Sequence, residues 1–562
     1  MAATNPPRHG LAAAVLVAIS ALAGPVTRTL AADPPGGIME KAYSTNVRAK
    51  LTAAQIASML PSRGQFTFPA PYLTQGIRLT NSSDCGGGDC VYPVGYSYWR
   101  NINNHVNDNY LLVFLGLRMS NGGSGVNLFK YDKTTDVVTK VGPLFDSGSK
   151  FADGTTEGWY WSATLPTTMY INDGTKLLRY EVNSRTFETV FDAATQFGTD
   201  RYIWQTNTSD DDKVHSATLR TLSTNEDLGC FVYNENTKKF TFWPKLGPYD
   251  ECQIDKSGNW LVILENIDNQ YDEDNRIINL QTGQETDLLN QQGAAGHHDS
   301  GYGYQVNLDE WANYPGATKL WMYDEPLVPS STQDLLLYYL TDWNVGAGHI
   351  AHGNANACAP LNQQFACYSD ATRYTTPRSD EITCFKLDTS LDALVVAPVM
   401  TDLDASGGGS SDYDKRPKGN IDVTGRYFIW TSNMMSNRLD AFIVKVPAQK
   451  LVPGAPAGKP AEVAGVAVNG HTTTTVSWST QGSGYRYDAS SGLLSALRHD
   501  HDVRNATCLE NDLTTPSFVD PRSSPAAGDG YYYIIRSQNS CGTGSYGQAS
   551  NGTERMPTAP CP

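Results

Sequence analysis

Charge is scarce in this sequence of 562 residues: Asp, Glu, Lys and Arg together make up 18% of it. The 42 basic residues are outnumbered by 58 acidic ones, which gives a net charge of −16. Binding to nucleic-acid phosphates needs a basic surface, so we expect no nucleic-acid partner. For the same reason, an anionic ligand would need a local basic pocket.

Long apolar runs are equally rare. The exception is residues 11–24, which follow Arg8 and His9 and have the length of a signal-peptide core, too short to span a bilayer comfortably. We interpret residues 1–32 as a signal peptide, with a retained N-terminal anchor as the alternative. The sequence thus predicts a secreted protein, extracellular or periplasmic, with no transmembrane segment after signal removal. We expect a monomer.

Several catalytic motifs are missing. The chain has no Gly-x-Ser-x-Gly elbow, no Walker loop, no dinucleotide-binding Gly-x-Gly-x-x-Gly fingerprint and no Cys-x-x-Cys-His haem site. Serine hydrolase, nucleotide-dependent and multihaem functions therefore find no support in the sequence.

The ten cysteines include no Cys-x-x-Cys pair, so disulfides are favoured over a zinc site. Neighbours that bracket one loop or share one module are Cys85 with Cys90, Cys358 with Cys367, and Cys508 with Cys541. Cys230 and Cys252 would tie one strand pair to the next, which leaves Cys384 and Cys561 over.

Glycine (50), tyrosine (30) and proline (30) are plentiful, which suits a β-rich chain with many turns. A weak repeat of strand, polar turn and strand starts at residues 128, 178, 231, 277, 384 and 441, with residues 335–340 filling the one double-length step. A period near 50 residues is typical of propeller blades. We therefore predict an all-β fold with a seven-bladed β-propeller over residues 60–450; six or eight blades, or a parallel β-helix, are the alternatives.

A second marker falls between these hairpins. Asp255 and Asp422 each begin an Asp-x-x-Gly turn that leads into an apolar strand. These turns resemble the Asp-Gly-Arg turns of TolB-type propeller repeats.

The two ends of the chain differ from the repeats. Residues 33–59 form an N-terminal segment, and residues 451–460 are a Pro/Gly-rich linker. Residues 461–562 contain strand patterns that look like a small β-sandwich of the fibronectin type III class, with Trp478 in its core.

Four histidines stand in two Gly-flanked segments about one period apart. His297 and His298 precede Asp299, and His349 and His352 lie on what should be the next blade. Equivalent positions on adjacent blades converge at the central channel, where imidazoles would suit a divalent metal such as Mn, Zn or Ca. The alternative is that they are loop histidines hydrogen-bonded to backbone.

Three further residues are candidates for catalysis. His215 follows an acidic turn and would be a base on the central face, or else part of a solvated turn. Arg373 and Arg416 lie in polar segments, the second in a Gly-rich loop typical of a binding rim, although solvated charge is the plainer interpretation.

A secreted propeller with paired histidines at 297/298 and 349/352 resembles the oligogalacturonate-lyase group of polysaccharide lyases. That resemblance implies a divalent metal held by histidines and β-elimination at a uronate of an extracellular glycan. The metal or Arg373 and Arg416 would neutralise the carboxylate, and His215 or a clustered histidine would remove the proton. The group has a glutamine just before its histidine pair, where this chain has Asn-Val-Gly-Ala-Gly at 344–348.

Two other functions remain open at this point. One is a non-catalytic extracellular propeller that binds a glycan, a small molecule or a protein. The other is a metal-dependent hydrolase, since the same histidines would activate water.

Overall fold

The computed structural model describes residues 33–561 except 97, 106–107, 155, 157, 271–272, 291–297, 310–316, 325–334, 340–348, 353–360, 454–459, 461, 471–472, 482–484, 540–541 and 550–553. These residues divide into two compact units: 33–460 with 538–544, and 461–537 with 545–561. No helix within the described ranges is long and apolar enough to cross a membrane.

The larger unit is a β-propeller with seven antiparallel sheets among its described residues, as the fold prediction required. Three strands precede blade 1: β1 (Ile38–Lys41), β2 (Gly64–Thr67) and β3 (Gln75–Arg78). Blades 1 to 3 consist of β4 (Ile102–Asn104), β5 (Tyr110–Leu117), β6 (Gly125–Asp132) and β7 (Val138–Pro143); β8 (Tyr160–Trp161), β9 (Thr168–Asp173), β10 (Lys176–Glu181) and β11 (Thr186–Asp192); and β12 (Arg201–Thr208), β13 (Val214–Thr221), β14 (Asp227–Asn234) and β15 (Lys239–Pro244).

Blades 4 to 7 continue the same order from the channel outward. They consist of β16 (Tyr249–Ile254), β17 (Trp260–Glu265), β18 (Asp274–Asn279) and β19 (Glu285–Leu288); β20 (His298–Ser300), β21 (Tyr304–Asp309), β22 (Ala317–Met322) and β23 (Leu335–Tyr339); β24 (His349–His352), β25 (Phe365–Ser369), β26 (Glu381–Lys386) and β27 (Asp392–Pro398); and β28 (Asn420–Ile421), β29 (Tyr427–Ser432) and β30 (Asp440–Lys445). The short α-helices of this unit are α1 (Ala53–Met59), α2 (Ala194–Phe197) and α3 (Asp412–Lys415).

Burial explains the strand patterns within a blade. The second strand of blade 1, β5, is buried at every position after its first, because neighbouring blades cover both of its faces. The outermost strand, β7, alternates between half-buried and exposed residues. In blade 1, a continuous apolar run therefore corresponds to a covered strand, and an alternating run corresponds to the outermost strand.

The ring is closed by both ends of the propeller chain. β3 pairs antiparallel with β30 as the fourth strand of blade 7, and Ile77 lies opposite Ile443. β2 then extends blade 7, and β1 extends blade 6 by pairing with β27. Apolar side chains of blades 7 and 1 share one core cluster that includes Ile443 and Val113. The N-terminal segment is thus part of the propeller sheets.

The Asp-x-x-Gly turns join the first two strands of blades 4 and 7. Asp255 Oδ1 accepts hydrogen bonds from the backbone N–H of Asn259 (2.9 Å) and Trp260 (3.0 Å), and Asp422 binds its own turn in the same way. Gly258 has a φ of +74°, which favours glycine at this point. The marker is therefore a structural turn.

Four disulfides join all the cysteines in the described part of the chain. Cys85–Cys90 and Cys230–Cys252 agree with the sequence interpretation, and the second links blade 3 to blade 4. The other two pairs, Cys367–Cys384 and Cys508–Cys561, correct it, because both cysteines that had been left over are bonded. Cys367 lies directly opposite Cys384 on β25 and β26, so strand register, not closeness in sequence, selects the partner. Cys358 and Cys541 lie outside the described residues.

The smaller unit contains two sheets of three and four strands, which confirms a small β-sandwich. The elements of these two sheets are β31 (Ala467–Asn469), β32 (Thr474–Ser477), β33 (Arg486–Leu493), α4 (Leu494–Asp500), β34 (Thr507–Leu513), β35 (Ser517–Asp520), β36 (Tyr531–Asn539) and β37 (Gly542–Thr543). The last two residues of β36 and all of β37 fall in the segment 538–544, which groups with the larger unit. Trp478 packs with Val476 from one sheet and Tyr487 from the other, as expected for a core residue. Membership of the fibronectin type III class remains a prediction.

Candidate functional site

A polar cleft opens at one end of the propeller's inner strands. Thr208, Ile254, Ser300 and Ile421, which line it, are the last residues of β12, β16, β20 and β28. The complete lining is Tyr98, Arg100, Tyr160, Asn207, Thr208, Asp210, Gln253, Ile254, Lys256, Asp299, Ser300 and Ile421. Only the two isoleucines are aliphatic, so a ligand here would meet hydrogen-bonding groups on almost every side.

Arg100 and Asp210 form an ion pair in this cleft. Arg100 Nη2 donates to Asp210 Oδ1 at 3.1 Å, and Tyr302 Oη donates to Asp210 Oδ2 at 3.0 Å. Burial and the charge of Asp210 raise the pKa of Tyr302 above its usual range, so this phenol keeps its proton and acts as a donor. The Asp210 carboxylate is therefore already neutralised and hydrogen-bonded by protein groups.

Lys256 also lines the cleft and directly follows Asp255 in the turn. Unlike Arg100, it makes no hydrogen bond or ion pair through its ammonium group among the described residues. Burial lowers the pKa of Lys256, and the charges of Asp299 and Asp210 offset this only in part. A half-buried cation without a partner is costly. Lys256 is therefore placed to gain from an anionic ligand in the cleft.

Tyr160 and Thr208 form the wall of the cleft between blades 2 and 3. Tyr160 is 3% exposed, and its hydroxyl lies 2.7 Å from Thr208 Oγ1. Burial raises the pKa of Tyr160 above its usual range. These two hydroxyls link the cleft to groups buried behind it.

His215 lies directly behind Thr208. It is on β13, the second strand of blade 3, and is fully buried, so the turn that we considered as an alternative is wrong. Its Nδ1 is 2.8 Å from Thr208 Oγ1, and its Nε2 is 2.9 Å from Glu235 Oε1. Glu235 is also paired with Arg179.

Burial and hydrogen bonding set the charges of this pair. Burial lowers the pKa of His215, which keeps the imidazole neutral. Burial alone would raise the pKa of Glu235, but the hydrogen bond to His215 and the charge of Arg179 lower it to about 2. His215 does not line the cleft, so its role as a base stays a prediction and would have to be exerted through Thr208.

The paired histidines fall on the inner strands of blades 5 and 6. His298 is the first residue of β20 and is 4% exposed, while the next two residues, Asp299 and Ser300, line the cleft. His349 and His352 begin and end β24, which lies beside β20. Their side chains, and His297 as a whole, lie outside the described residues. Among the described side chains, no three His, Cys, Asp or Glu groups are arranged to hold a metal ion.

The two predicted arginines do not line the cleft. Arg373 is exposed and paired with Asp404 (2.8 Å) and Asp412 (2.5 Å). Arg416 follows α3, and its charge acts on the buried carboxyl of Asp370. Two carboxylates of the polar loop, Asp404 and Asp412, are therefore already paired with Arg373. A role for either arginine in catalysis stays a prediction.

Sequence reasoning missed Arg100, Tyr160, Asp210 and Lys256. Two of them could have been predicted, because Lys256 lies in the Asp-x-x-Gly turn and Asp210 begins the acidic turn before His215. The useful signal was a polar residue just after an inner strand. Arg100, which precedes β4, carries no such signal.

Neither a family model nor a curated protein matches the chain. Among solved structures, an oligogalacturonate lyase in complex with manganese is 11% identical, with a TM-score of 0.45 over 73% of this chain and 98% of that one. An oligogalacturonate lyase from Vibrio parahaemolyticus is 10% identical, with a TM-score of 0.46 over 74% and 99%. The β-propeller domain of the Trilobed protease from Pyrococcus furiosus is 6% identical, with a TM-score of 0.34 over 64% and 94%. None of these similarities bears on activity, and the seven antiparallel sheets of the larger unit are what make the chain a β-propeller protein.

Proposed function

We propose that the cleft binds a uronate residue of an extracellular glycan and that the protein is a polysaccharide lyase. The observation that carries this proposal is Lys256, an ammonium group without a partner among the described residues. On a protein with a net charge of −16, such a group gives a local site for an anion.

The rest of the lining suits a sugar acid. Sugar hydroxyls both donate and accept, and the cleft offers the acceptors Asp210 and Asp299 beside the donors Asn207 and Ser300. The uronate carboxylate would face Lys256 and Arg100. Neutralising that carboxylate stabilises the negative charge that develops when the proton on the adjacent carbon is removed, which is the difficult step of β-elimination.

Lys256→Gln is expected to weaken binding of oligogalacturonate about 10- to 100-fold, because a hydrogen bond between charged groups is lost. Titration calorimetry measures this, with a neutral galactose oligomer as the ligand control. Lys239→Gln, an exposed lysine on β15, is the matched control and should bind as the wild type does. Equal affinity of wild type and Lys256→Gln for the uronate would overturn the assignment.

Formation of an unsaturated uronate, followed by its absorbance, separates a lyase from a glycan-binding protein. Binding without this product would leave the non-catalytic alternative. Four disulfides among the described residues support our further proposal that the protein works outside the cell or in the periplasm.

We propose a divalent metal as a second, separable part of the site. The imidazoles of His297, His298, His349 and His352 are the donors that Mn or Zn accepts, and His298 lies buried beside strand β24. A bound ion would supply positive charge for the uronate carboxylate.

His298→Ala is expected to lose most of the metal that copurifies with the wild-type protein, because one imidazole ligand is removed. Elemental analysis of both purified proteins measures the metal content per chain. His499→Ala changes an exposed histidine of the other unit and serves as the control. Unchanged metal content in His298→Ala, or no metal in the wild type, would contradict the proposed metal. Lys256 and Arg100 would then be the cations of the site.

A further inference from the structure

A continuous line of hydrogen bonds leads from the cleft into the core of blade 3. It runs from Tyr160 through Thr208 and His215 to Glu235, with heavy-atom distances of 2.7, 2.8 and 2.9 Å. Tyr160 and Thr208 line the cleft, whereas His215 is fully buried. Four consecutive groups at such distances are close enough to exchange protons along the line.

The position of each hydrogen follows from the far end of the line. Glu235 is ionised and paired with Arg179, so it can only accept, and His215 Nε2 must carry the hydrogen. Because the imidazole is neutral, its Nδ1 has no hydrogen and accepts one from the Thr208 hydroxyl. The Thr208 oxygen then accepts from Tyr160.

All hydroxyl hydrogens in this line therefore point away from the cleft. The Tyr160 hydroxyl donates inward, and a phenol oxygen also has lone pairs that can accept a proton. At the other end, the Nδ1 lone pair of His215 accepts the Thr208 hydroxyl hydrogen and can take up that proton. This arrangement suits a general base in two parts: the Tyr160 phenol would take the proton from the substrate, and the buried His215 would accept the proton that Tyr160 passes inward.

We propose that Tyr160 is the catalytic residue that removes the proton from the bound uronate, and that Thr208, His215 and Glu235 are positioning residues that relay its own proton inward. This inference rests on the proposed function, since the uronate must occupy the cleft. It also gives His215 a route to the substrate that its burial would otherwise deny.

The step balances without another reactant. The C5–H bond of the uronate breaks and its proton binds the Tyr160 oxygen. The phenolic proton moves to Thr208, and the Thr208 proton moves to Nδ1 of His215, whose positive charge Glu235 stabilises. The C5 electron pair forms the C4–C5 double bond as the C4–O4 bond breaks. The protons then move back in the reverse order, from Nδ1 of His215 to Thr208 and from Thr208 to Tyr160. Tyr160 gives one proton to O4, which leaves as the hydroxyl of the released glycan.

The test compares Thr208→Val, Thr208→Ser and Tyr160→Phe with the wild type. Valine fills the space of threonine but cannot pass a proton, so kcat on oligogalacturonate should fall at least 100-fold. Tyr160→Phe should fall as far. Serine keeps the hydroxyl and should recover turnover to within about 10-fold of the wild type. KM should change less than 3-fold in all three, because ligand contacts are largely kept.

The tautomer of His215 gives a second readout, independent of turnover. In nitrogen-15 NMR spectra at neutral pH, with His215→Gln to identify the signal, we expect a hydrogen on Nε2 and none on Nδ1. A hydrogen on Nδ1 would overturn the relay. Full turnover in a folded Thr208→Val variant would also overturn the relay. If the valine variant does not fold, full turnover in Tyr160→Phe would overturn it.

These outcomes are distinct from failure of the proposed function. If the wild-type protein binds no oligogalacturonate, the proposed function is wrong and the relay is overturned with it. If the wild type binds and cleaves it while Thr208→Val cleaves it equally well, only the relay is wrong.

Discussion

Asp440→Ala is expected to lower the free energy of unfolding of the propeller by about 3–5 kcal/mol, because it leaves buried cations without their carboxylate. Asp440 is the first residue of β30 and is fully buried. It accepts hydrogen bonds from Thr80 (3.0 Å) and from the guanidinium groups of Arg78 and Arg438. Arg78 ends β3, so this carboxylate holds the strand that closes the ring.

Urea-induced unfolding followed by tryptophan fluorescence measures the loss, and limited proteolysis reports whether the segment that carries β3 is released. Asp146→Ala is the control, since Asp146 is 77% exposed and its pair with Arg185 should contribute about 0–1 kcal/mol. If the two substitutions cost the same, the Asp440 cluster would not be what keeps the ring closed.

Asp370→Asn is expected to do the opposite and stabilise the protein at neutral pH. Asp370 follows β25, is 1% exposed, and neither of its carboxylate oxygens has a hydrogen-bond partner among the described residues. Burial and the charge of Asp380 raise the pKa of Asp370 well above its usual range, and Arg416 offsets only part of this. Asparagine has a similar shape and carries no charge to bury.

The sign of the pH dependence follows from that raised pKa. In the unfolded chain Asp370 ionises near pH 4, whereas the folded protein favours the protonated form. The wild type therefore loses stability as the pH rises from about 4 to the folded pKa, and the asparagine variant does not. We expect Asp370→Asn to gain about 1–3 kcal/mol at pH 7 and almost nothing below pH 4.

Thermal or urea unfolding at a series of pH values measures this difference. Asp414→Asn, at an exposed position in α3, should show no such trend. An Asp370→Asn variant that is no more stable than the wild type at pH 7 would mean that the carboxylate is compensated in the fold.

The propeller was predictable because its signals are local. Hairpin strands and Asp-x-x-Gly turns recur within single blades, and the turn at Asp255 is held by the backbone N–H groups of Asn259 and Trp260, only a few residues away. The disulfide of Cys85 and Cys90 is local in the same sense. Where the register of two strands decides, as for Cys367 and Cys384, closeness in sequence misled.

The candidate site was less predictable because ring closure assembles it. Arg100, Asp210, Lys256 and Asp299 belong to different parts of the ring and meet only at the ends of inner strands. His215 was found by its residue type, yet its surroundings were misjudged: it sits inside a strand that is buried at both neighbouring positions. Its partner Glu235 follows the next strand, so hairpin register alone brings the two together.

The closure of blade 7 also bears on how the chain reaches its native state. β3 can pair only after β30 has been synthesised, and the ion pair between Arg78 and Asp440 that joins the two strands spans 362 residues. A chain that emerges amino end first therefore assembles blades 1 to 6 with an open seam and an unpaired strand edge, which is prone to aggregate. Blade 7 is complete only when synthesis has delivered β30, so its edge stays unpaired until the end of the propeller has been made.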